Sequence, residues 1–331
     1  MKKSRKVIGL LGAGVLLVLA VLLLYTVGRR LETSGQSQQR GELPQTEQEQ
    51  TCVVDGITYR KRSDIMSILV MGVDCDSTQQ SDSPYEGGQA DFQRLIVLDT
   101  AHGTVQQLKI DRDTITDVVM LGYLGSPIGT QKMQISLAHG FGDGKEESCE
   151  YAQQAVEALL GEDTVDFYLA MNLDGIPTLN DLAGGVTVTL EDDFSAMDPA
   201  MVQGATLTLH GKQAEYFVRS RMNIGEGTNE ARMVRQEAYL EQLLTQLHGQ
   251  LGQEKQRTAE VLDAMADYMV TDMPRGRIIN EIWAARDYTV ETALALEGEH
   301  KIAEDGFMEF YPTESSIQQA VLELFWEPVT G

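Results

Sequence analysis

The stretch SILVMGVD, residues 67–74, decides the fold, because it is an apolar run of strand length that ends in one carboxylate, Asp74. A strand that is apolar on both faces is typical of a sheet covered by helices on both sides. Two more strand patterns follow, RLIVLDT at 94–100 and TVQQLKI at 104–110, with the tight turn Ala101-His102-Gly103 between them. These patterns predict a buried strand followed by a β-hairpin.

Helical and strand patterns then alternate along the chain. In order, they predict a helix at 145–161, a strand at 165–173, a short helix at 174–184, a strand at 185–190, and helices at about 212–219 and 230–247. We therefore predict an α/β domain over residues 52–250, with a mixed β-sheet sandwiched between helices. Residues 251–331 show no catalytic signature, and we predict a C-terminal extension of unknown role, either a small subdomain or a segment packed on the core.

The N-terminus carries the clearest local signal. An uncharged run of 22 residues, 7–28, lies between a basic tail at 1–6 and the pair Arg29 and Arg30. At about 1.5 Å per residue, such a helix crosses a hydrocarbon layer of roughly 30 Å. The run lacks the small-residue cleavage site of a signal peptide, so we predict a retained transmembrane anchor. The excess of basic residues before it predicts a cytoplasmic N-terminus, a single-pass cell-membrane protein and an extracytoplasmic main domain.

Residues 29–51 are predicted to form a flexible stalk. The part at 31–51 holds six glutamines and no aromatic residue, so it has little apolar surface to bury. Order is predicted to begin with CVVDGITYR at 52–60, a hairpin that turns at Asp55-Gly56. The three cysteines have no zinc-site spacing, and we expect free, partly buried thiols.

The charge of the chain restricts its partners. The formal net charge is −24 and the pI is about 4.5. Nucleic acids and anionic lipids are polyanions, so generic binding to either is not expected. An anion site in such a protein has to be a local positive pocket.

One segment, EYFVRSRMNIGEGTNEARMVRQ at 215–236, gathers four arginines. In an extended exit from the preceding helix, Arg219 and Arg221 project to the same side. Arg232, Arg235 and Gln236 share about a third of the circumference of the next helix. Guanidinium groups bind phosphate oxygens in a bidentate manner, and the first turn of a helix adds free N–H groups. The segment thus predicts a phosphate site, with a solvated charged loop as the alternative.

Two aspartates offer a matching metal site. Asp74 ends the first strand, and Asp91 precedes the strand at 94–100. Carboxylates at strand ends are natural ligands of Mg²⁺, which also shares phosphate oxygens. Arg112, which follows the strand at 104–110, adds a cation to the same crevice. The alternative for each aspartate alone is a cap or turn residue.

The chain resembles the LytR-CpsA-Psr family over roughly residues 63–247. The resemblance lies in the ordered blocks SILVMGVD, ADFQRLIVLDT, LKIDRDT, NLDGIPTLNDLAGGVTVTL, LHGKQAEYFVRSR and EARMVRQ. It implies a membrane-anchored, Mg²⁺-dependent phosphotransferase that moves a glycopolymer from a polyprenyl-pyrophosphate carrier to peptidoglycan, with a pyrophosphatase side activity as a further expectation. It also implies the family's fold, a sheet between helices with an apolar slot for the lipid.

The resemblance assigns roles to individual residues. Asp74 and Asp91 would hold Mg²⁺ and, with Arg112, Arg219 and Arg221, form the catalytic set. The phosphate-binding set would be Arg112, Arg219, Arg221, Asn229, Arg232, Arg235 and Gln236. Departures from the family pattern are Gln89 for an arginine, Asp111 for a proline, Gln134 for a lysine and Asn229 for an aspartate.

Two other functions remain open at the level of sequence. A polyprenyl-phosphate-binding scaffold of cell-wall assembly would need the same pocket without turnover. A regulator of transcription would need a DNA-binding module, and the sequence shows no helix-turn-helix pattern. A turnover assay distinguishes the transferase from the scaffold, since both bind the lipid.

Overall fold

The computed structural model describes residues 50–74, 87–123, 125–162, 164–220, 224–225, 235–236, 238–240, 242–243, 246–247, 255–304 and 306–329. Within these residues, no helix combines the length and the apolar character needed to cross a membrane. The predicted tail at 1–6 and the predicted anchor at 7–28 lie outside them, as does the predicted stalk up to residue 49.

Sixteen strands are found in the described residues: β1 Thr51–Val54, β2 Ile57–Lys61, β3 Ile65–Asp74, β4 Gln89–Asp99, β5 Thr104–Ile110, β6 Ile115–Leu121, β7 Pro127–Gln134, β8 Phe167–Asn172, β9 Val186–Thr189, β10 Thr206–Leu209, β11 Met269–Thr271, β12 Thr289–Val290, β13 Leu294–Ala295, β14 Gly298–Ile302, β15 Met308–Pro312 and β16 Trp326–Pro328. The predicted hairpins β1–β2 and β4–β5 are confirmed.

The α-helices with complete bounds are α1 Glu146–Leu160, α2 Ile176–Leu182, α3 Lys212–Arg219, α4 Lys255–Met265, α5 Arg275–Ala285 and α6 Glu314–Phe325. Short 3₁₀ helices lie at Ile135–Gly140, Leu173–Gly175 and Ala266–Tyr268. The helix predicted at 230–247 is helical at each of its described positions, from residue 235 to residue 247.

The central sheet is mixed, as predicted. Its strand order is β11-β8-β3-β4-β5-β12, and β13 also pairs with β5. Strand β3 lies in the middle, parallel to β8 and antiparallel to β4. The predicted strand at 185–190, however, pairs with β10 in a separate two-stranded sheet, so it does not extend the central one.

Both faces of the central sheet are covered, which explains the continuous apolar run of β3. Ile68 and Val70 face a core formed with α2, α3, α4, α5 and the helical segment before residue 247. Leu69 and Met71 face a second core formed with α1, α6 and the 3₁₀ helix Ile135–Gly140. Each buried aliphatic side chain contributes about 1.5–3 kcal/mol, so a strand with four of them is firmly held.

A β-bulge interrupts the pairing of β3 with β4 near the predicted metal site. Gly72 pairs with Phe92 and Val73 pairs with Ala90, which leaves Asp91 as the extra residue. Asp91 was predicted to precede its strand, and this is corrected: β4 begins at Gln89 and contains Asp91. Bulges redirect side chains, and they occur often beside active sites.

The predicted boundary at residue 250 does not separate two structural units. Strand β11 pairs with β8, and β12 and β13 pair with β5, so the C-terminal part supplies both edges of the central sheet. Helix α6 packs into one core, and β16 joins the β1–β2 hairpin. The C-terminal extension therefore packs on the core, which is one of the two arrangements predicted for it.

Candidate functional site

Asp74 and Asp91 line the same cavity at one end of the central sheet. Asp74 is the last residue of β3, and the bulge in β4 brings Asp91 beside that end. The cavity has a volume of about 610 Å³, and its other lining residues are Gly88, Gln89, Met133, Leu137, Gly140 and Phe141. The wall is thus part polar and part apolar, which suits a ligand with a charged head and an apolar portion.

Arg112 reaches this cavity from the loop after β5. Its Nη1 lies 2.7 Å from Oδ1 of Asp91, and its Nη2 donates a hydrogen bond of 2.7 Å to Oε1 of Gln89. Its Nε lies 3.5 Å from Oδ1 of Asp113. Burial raises the pKa of Asp113; Arg112 opposes this effect, and the neighbouring carboxylate of Asp111 adds to it. The arginine therefore lies among carboxylates that fix its direction.

Arg219, the last residue of α3, contacts the other aspartate of the cavity. Its Nη2 donates to Oδ1 of Asp74 over 2.8 Å. Its Nη1 contacts Oδ1 of Asp174 at 3.0 Å and Oε1 of Glu215 at 3.2 Å. Asp174 follows β8, and Asp74 ends β3. Because these two strands are parallel, Asp74 and Asp174 lie at the same end of the sheet.

In each of the two arginine–aspartate pairs, a ligand phosphate can replace the aspartate. Their side chains are 23–44% exposed, and ion pairs at this exposure contribute only about 0–1 kcal/mol. A phosphate offers each guanidinium two oxygens in the geometry that it prefers. The free energy lost when a ligand displaces the carboxylates is therefore small compared with the free energy gained from the arginine–phosphate contacts.

The pair of aspartates fits a magnesium ion. Both contribute carboxylate oxygens, the ligands that Mg²⁺ prefers, and Oδ1 of Asp91 is buried at the cavity wall. The cavity also leaves space for the water and phosphate oxygens that complete the coordination of this ion. Mg²⁺ at this site remains a prediction.

Arg235 and Gln236, for which phosphate contacts are predicted, make hydrogen bonds within the protein in this structure. Arg235 donates through Nε to the carbonyl of Phe217 at 2.6 Å and through Nη2 to the carbonyl of Ser220. Its guanidinium lies 5.2 Å from the ring centroid of Phe194, and its side chain is only 9% exposed. Gln236 donates to the carbonyl of Val218 at 3.0 Å. Both residues hold the chain around Arg219 in place.

Arg221, Asn229 and Arg232 lie outside the described residues, so their phosphate-binding roles stay predictions. Asp174 and Glu215, which contact Arg219, were not predicted from the sequence. A signal for Asp174 was present, because it follows the predicted strand at 165–173 and so belongs at a strand end. Glu215 lies four residues before Arg219 on one helix, a spacing that brings side chains together.

His139 has a structural role. Its Nδ1 lies 2.6 Å from the carbonyl oxygen of Gly87, and its Nε2 lies 3.6 Å from Sγ of Cys149. Burial lowers the pKa of His139. Cys149 and Cys52 are free thiols, the first buried and the second half-buried.

Comparison with known proteins places this chain in a family. The model of the LytR_cpsA_psr family matches residues 25–323, which is most of the chain. The chain belongs to the LytR-CpsA-Psr family. The resemblance noted in the sequence is thereby confirmed, and it extends into the C-terminal part that completes the sheet.

Named relatives and solved structures agree with this membership. The chain is 27% identical over 160 residues to the polyisoprenyl-teichoic acid–peptidoglycan teichoic acid transferase TagU of Bacillus cereus, which covers 48% of this chain and 46% of TagU. The chain thus spans about half the length of the curated relatives it matches.

Two crystal structures share its fold. Protein gbs0355 of Streptococcus agalactiae has a TM-score of 0.63 at 22% identity, over 79% of this chain and 87% of that one. TagV of B. subtilis has a TM-score of 0.56 at 21% identity, over 80% and 96%.

Proposed function

We propose that this protein transfers a glycopolymer from a polyprenyl-pyrophosphate carrier to peptidoglycan, outside the cytoplasm, from an N-terminal membrane anchor. The observation that carries the proposal is the meeting of two arginine–aspartate pairs, Arg112–Asp91 and Arg219–Asp74, at one cavity. Family membership and the activity for which TagU is named support the same class of reaction.

The chain's own groups account for binding of the diphosphate. Arg112 and Arg219 each contact an aspartate that lines the cavity, and each would turn from that aspartate to a phosphate oxygen. Bidentate contacts from two arginines orient the phosphorus that is attacked. The apolar side chains Met133, Leu137 and Phe141 offer a surface for the first part of the lipid.

The transfer step conserves atoms and charge. A sugar hydroxyl of the acceptor attacks the β-phosphorus, a new P–O bond forms, and the bond from this phosphorus to the bridging oxygen breaks. Polyprenyl phosphate leaves with the bridging oxygen, and the hydroxyl proton passes to one of the carboxylates at the cavity. The arginines stabilise the charge that develops on the bridging oxygen. Mg²⁺, held by Asp74 and Asp91, would neutralise part of the same charge.

A turnover assay tests the proposal. The full-length chain is incubated with a polyprenyl-pyrophosphate-linked teichoic acid precursor, peptidoglycan oligomers and Mg²⁺, and the joined product is measured. We expect product with the wild type, none after chelation, and none with Asp74→Ala or Asp91→Ala, although both variants stay folded by circular dichroism. Lipid binding without product under all metal conditions would instead favour the scaffold function.

A further inference from the structure

The loop that carries Arg112 is held by a β-ribbon from the C-terminal part of the chain. The ribbon consists of β14 and β15, which pair from Gly298↔Pro312 to Ile302↔Met308. The amide of Phe310 donates a hydrogen bond of 2.8 Å to the carbonyl of Asp113, and Phe310 forms a parallel bridge with Thr114. The ribbon therefore touches the residue immediately after Arg112.

Side chains strengthen this contact on both sides of Arg112. Nε2 of His300 lies 2.9 Å from Oδ2 of Asp111, and the His300 ring stacks on the buried ring of Phe310 with centroids 4.5 Å apart. Gln134 donates through Nε2 both to Oδ1 of Asp113, at 3.0 Å, and to the carbonyl of Met308, at 2.6 Å. Two independent side chains thus connect the ribbon to this loop.

The opposite side of the loop is held by main-chain bonds. The amide of Ser136 donates to the carbonyl of Arg112 at 3.2 Å, and the amide of Ile135 donates to the carbonyl of Thr114 at 2.7 Å. Within the loop, the amide of Asp113 donates to Oδ1 of Asp111 at 2.9 Å. The backbone of Arg112 is therefore fixed between the 3₁₀ helix and the ribbon. A ligand phosphate would therefore be reached by its side chain alone, in exchange for the contact with Asp91.

We propose that the ribbon of residues 298–312 is a positioning element for Arg112, with His300 and Gln134 as its positioning residues. The proposal rests on the proposed function, because it takes Arg112 to be a phosphate ligand. Neither His300 nor Gln134 lines the cavity, so both act through the loop. Displacement of a guanidinium by about 1 Å is enough to lose much of a bidentate contact, which makes the hold on the loop a determinant of affinity.

Amide hydrogen exchange tests the hold itself, without reference to any activity. In the full-length chain, His300→Ala removes the hydrogen bond to Asp111 and the ring contact with Phe310. We expect the amides of Phe310 and Thr114 to exchange about 10-fold faster, which corresponds to the loss of about one hydrogen bond to a charged group. Lys301→Ala is the matched control, because this neighbouring residue contacts Glu299 and Tyr311 instead of the loop. Equal exchange in His300→Ala and the wild type would overturn the proposal.

A double-mutant cycle tests the effect on the site. The probe is farnesyl pyrophosphate with Mg²⁺, and its Kd is measured by calorimetry. We expect His300→Ala and Gln134→Ala each to raise Kd about 3- to 10-fold in the wild-type background and to have no effect in the Arg112→Ala background. His300→Gln, which keeps a donor for Asp111, should recover part of the affinity.

The outcomes separate this inference from the proposed function. The same increase in Kd in both backgrounds would mean that the ribbon does not act through Arg112, and the inference fails. If the wild type does not bind farnesyl pyrophosphate at all, the proposed function fails, and hydrogen exchange alone decides whether the ribbon holds the loop. If His300→Ala unfolds, Gln134→Ala is measured in the same two ways.

Discussion

At the scale of single residues, Arg219 is the more exposed of the two arginines that contact the aspartates of the cavity. It contacts three carboxylates in the structure, yet its side chain remains 32% exposed. We expect Arg219→Ala to weaken binding of farnesyl pyrophosphate by about 10- to 150-fold, since a charge-assisted hydrogen bond is worth about 1.5–3 kcal/mol. Arg219→Lys should recover only part of this, because an ammonium lacks the planar fork.

Arg257→Ala is the matched control for Arg219→Ala. Arg257 is 38% exposed and pairs with Glu260 on its own helix, at 3.3 Å. Both alanine variants should change the free energy of unfolding by less than about 1 kcal/mol, as expected for exposed ion pairs. Only the Arg219 variant should lose affinity. Wild-type affinity in Arg219→Ala would instead favour the alternative from the sequence, in which this arginine belongs to a solvated charged loop.

A substitution at Gln89 is predicted to increase the affinity for a diphosphate. Its amide oxygen accepts a hydrogen bond from Arg112 at 2.7 Å, and it lines the cavity. Gln89→Arg places a second cation beside Arg112, so we expect slightly lower stability of the free protein and a lower Kd for farnesyl pyrophosphate, by about 3- to 10-fold. Gln131→Arg, on the separate β6–β7 hairpin, adds the same charge elsewhere and should leave Kd unchanged. A higher Kd in Gln89→Arg would contradict the prediction.

The residue types of the site were readable from the sequence, whereas their directions were not. Asp74 and Arg112 lie at strand ends as predicted, because a buried apolar run determines where a strand stops. Arg235 shares a helical arc with Gln236, but spacing alone does not tell which edge of the arc faces the core. The structure turns Arg235 toward Phe194 and Phe217, where its guanidinium covers two rings.

At the scale of elements, the start of β4 depends on one glycine. Gly87 packs so closely on the segment of His139 that an added Cβ would lie 1.8 Å from the carbonyl oxygen of His139. The same two residues are joined by the bond from the His139 ring to the Gly87 carbonyl. We expect Gly87→Ala to lower the free energy of unfolding by about 1–3 kcal/mol, because backbone has to move to make room. Activity should fall as well, since Gly88, Gln89 and Asp91 follow directly.

Gly276→Ala is the control for that change. Gly276 lies in α5, and an added Cβ there has no neighbour within 4 Å. Alanine favours a helix over glycine by up to about 1 kcal/mol, so this variant should be neutral or more stable. Thermal unfolding of the two variants decides the matter. Equal melting temperatures for Gly87→Ala and the wild type would show that the contact does not constrain the strand.

Elements were easier to predict than their irregularities. Strand β3, helix α1 and helix α3 follow from apolar spacing, because burial of one or two faces leaves a period in the sequence. The bulge at Asp91 leaves no such period, since it depends on how β4 pairs with β3. Likewise, strand propensity predicts β9 but does not tell which strand it pairs with, so its pairing with β10 could not be predicted.

At the scale of the molecule, the C-terminal part, residues 251–331, is the part that sequence patterns described least well. Strands β11, β12 and β13 have two or three residues each, too few for a recognisable alternation. Their partners, β8 and β5, lie far away in the chain, so only the folded sheet reveals the pairing. The ribbon is equally far in sequence from Arg112, so its contact with the loop could not be predicted. Asp111 and Gln134, both departures from the family pattern, make side-chain contacts with the ribbon.

The orientation of the whole chain is the last prediction. The apolar run at 7–28 follows four basic residues and precedes two, which favours export of everything after it. A reporter enzyme that is active only after export, fused to residue 331, should be active in cells, and a reporter that works only in the cytoplasm should be silent. Removal of residues 1–28 should reverse both results, which controls for effects of the fusion. The net charge of −24 gives the domain no general attraction for the anionic inner surface of the membrane, so retention inside the cell is not expected from charge. A full-length fusion with an active cytoplasmic reporter would remove access to peptidoglycan and, with it, the proposed acceptor.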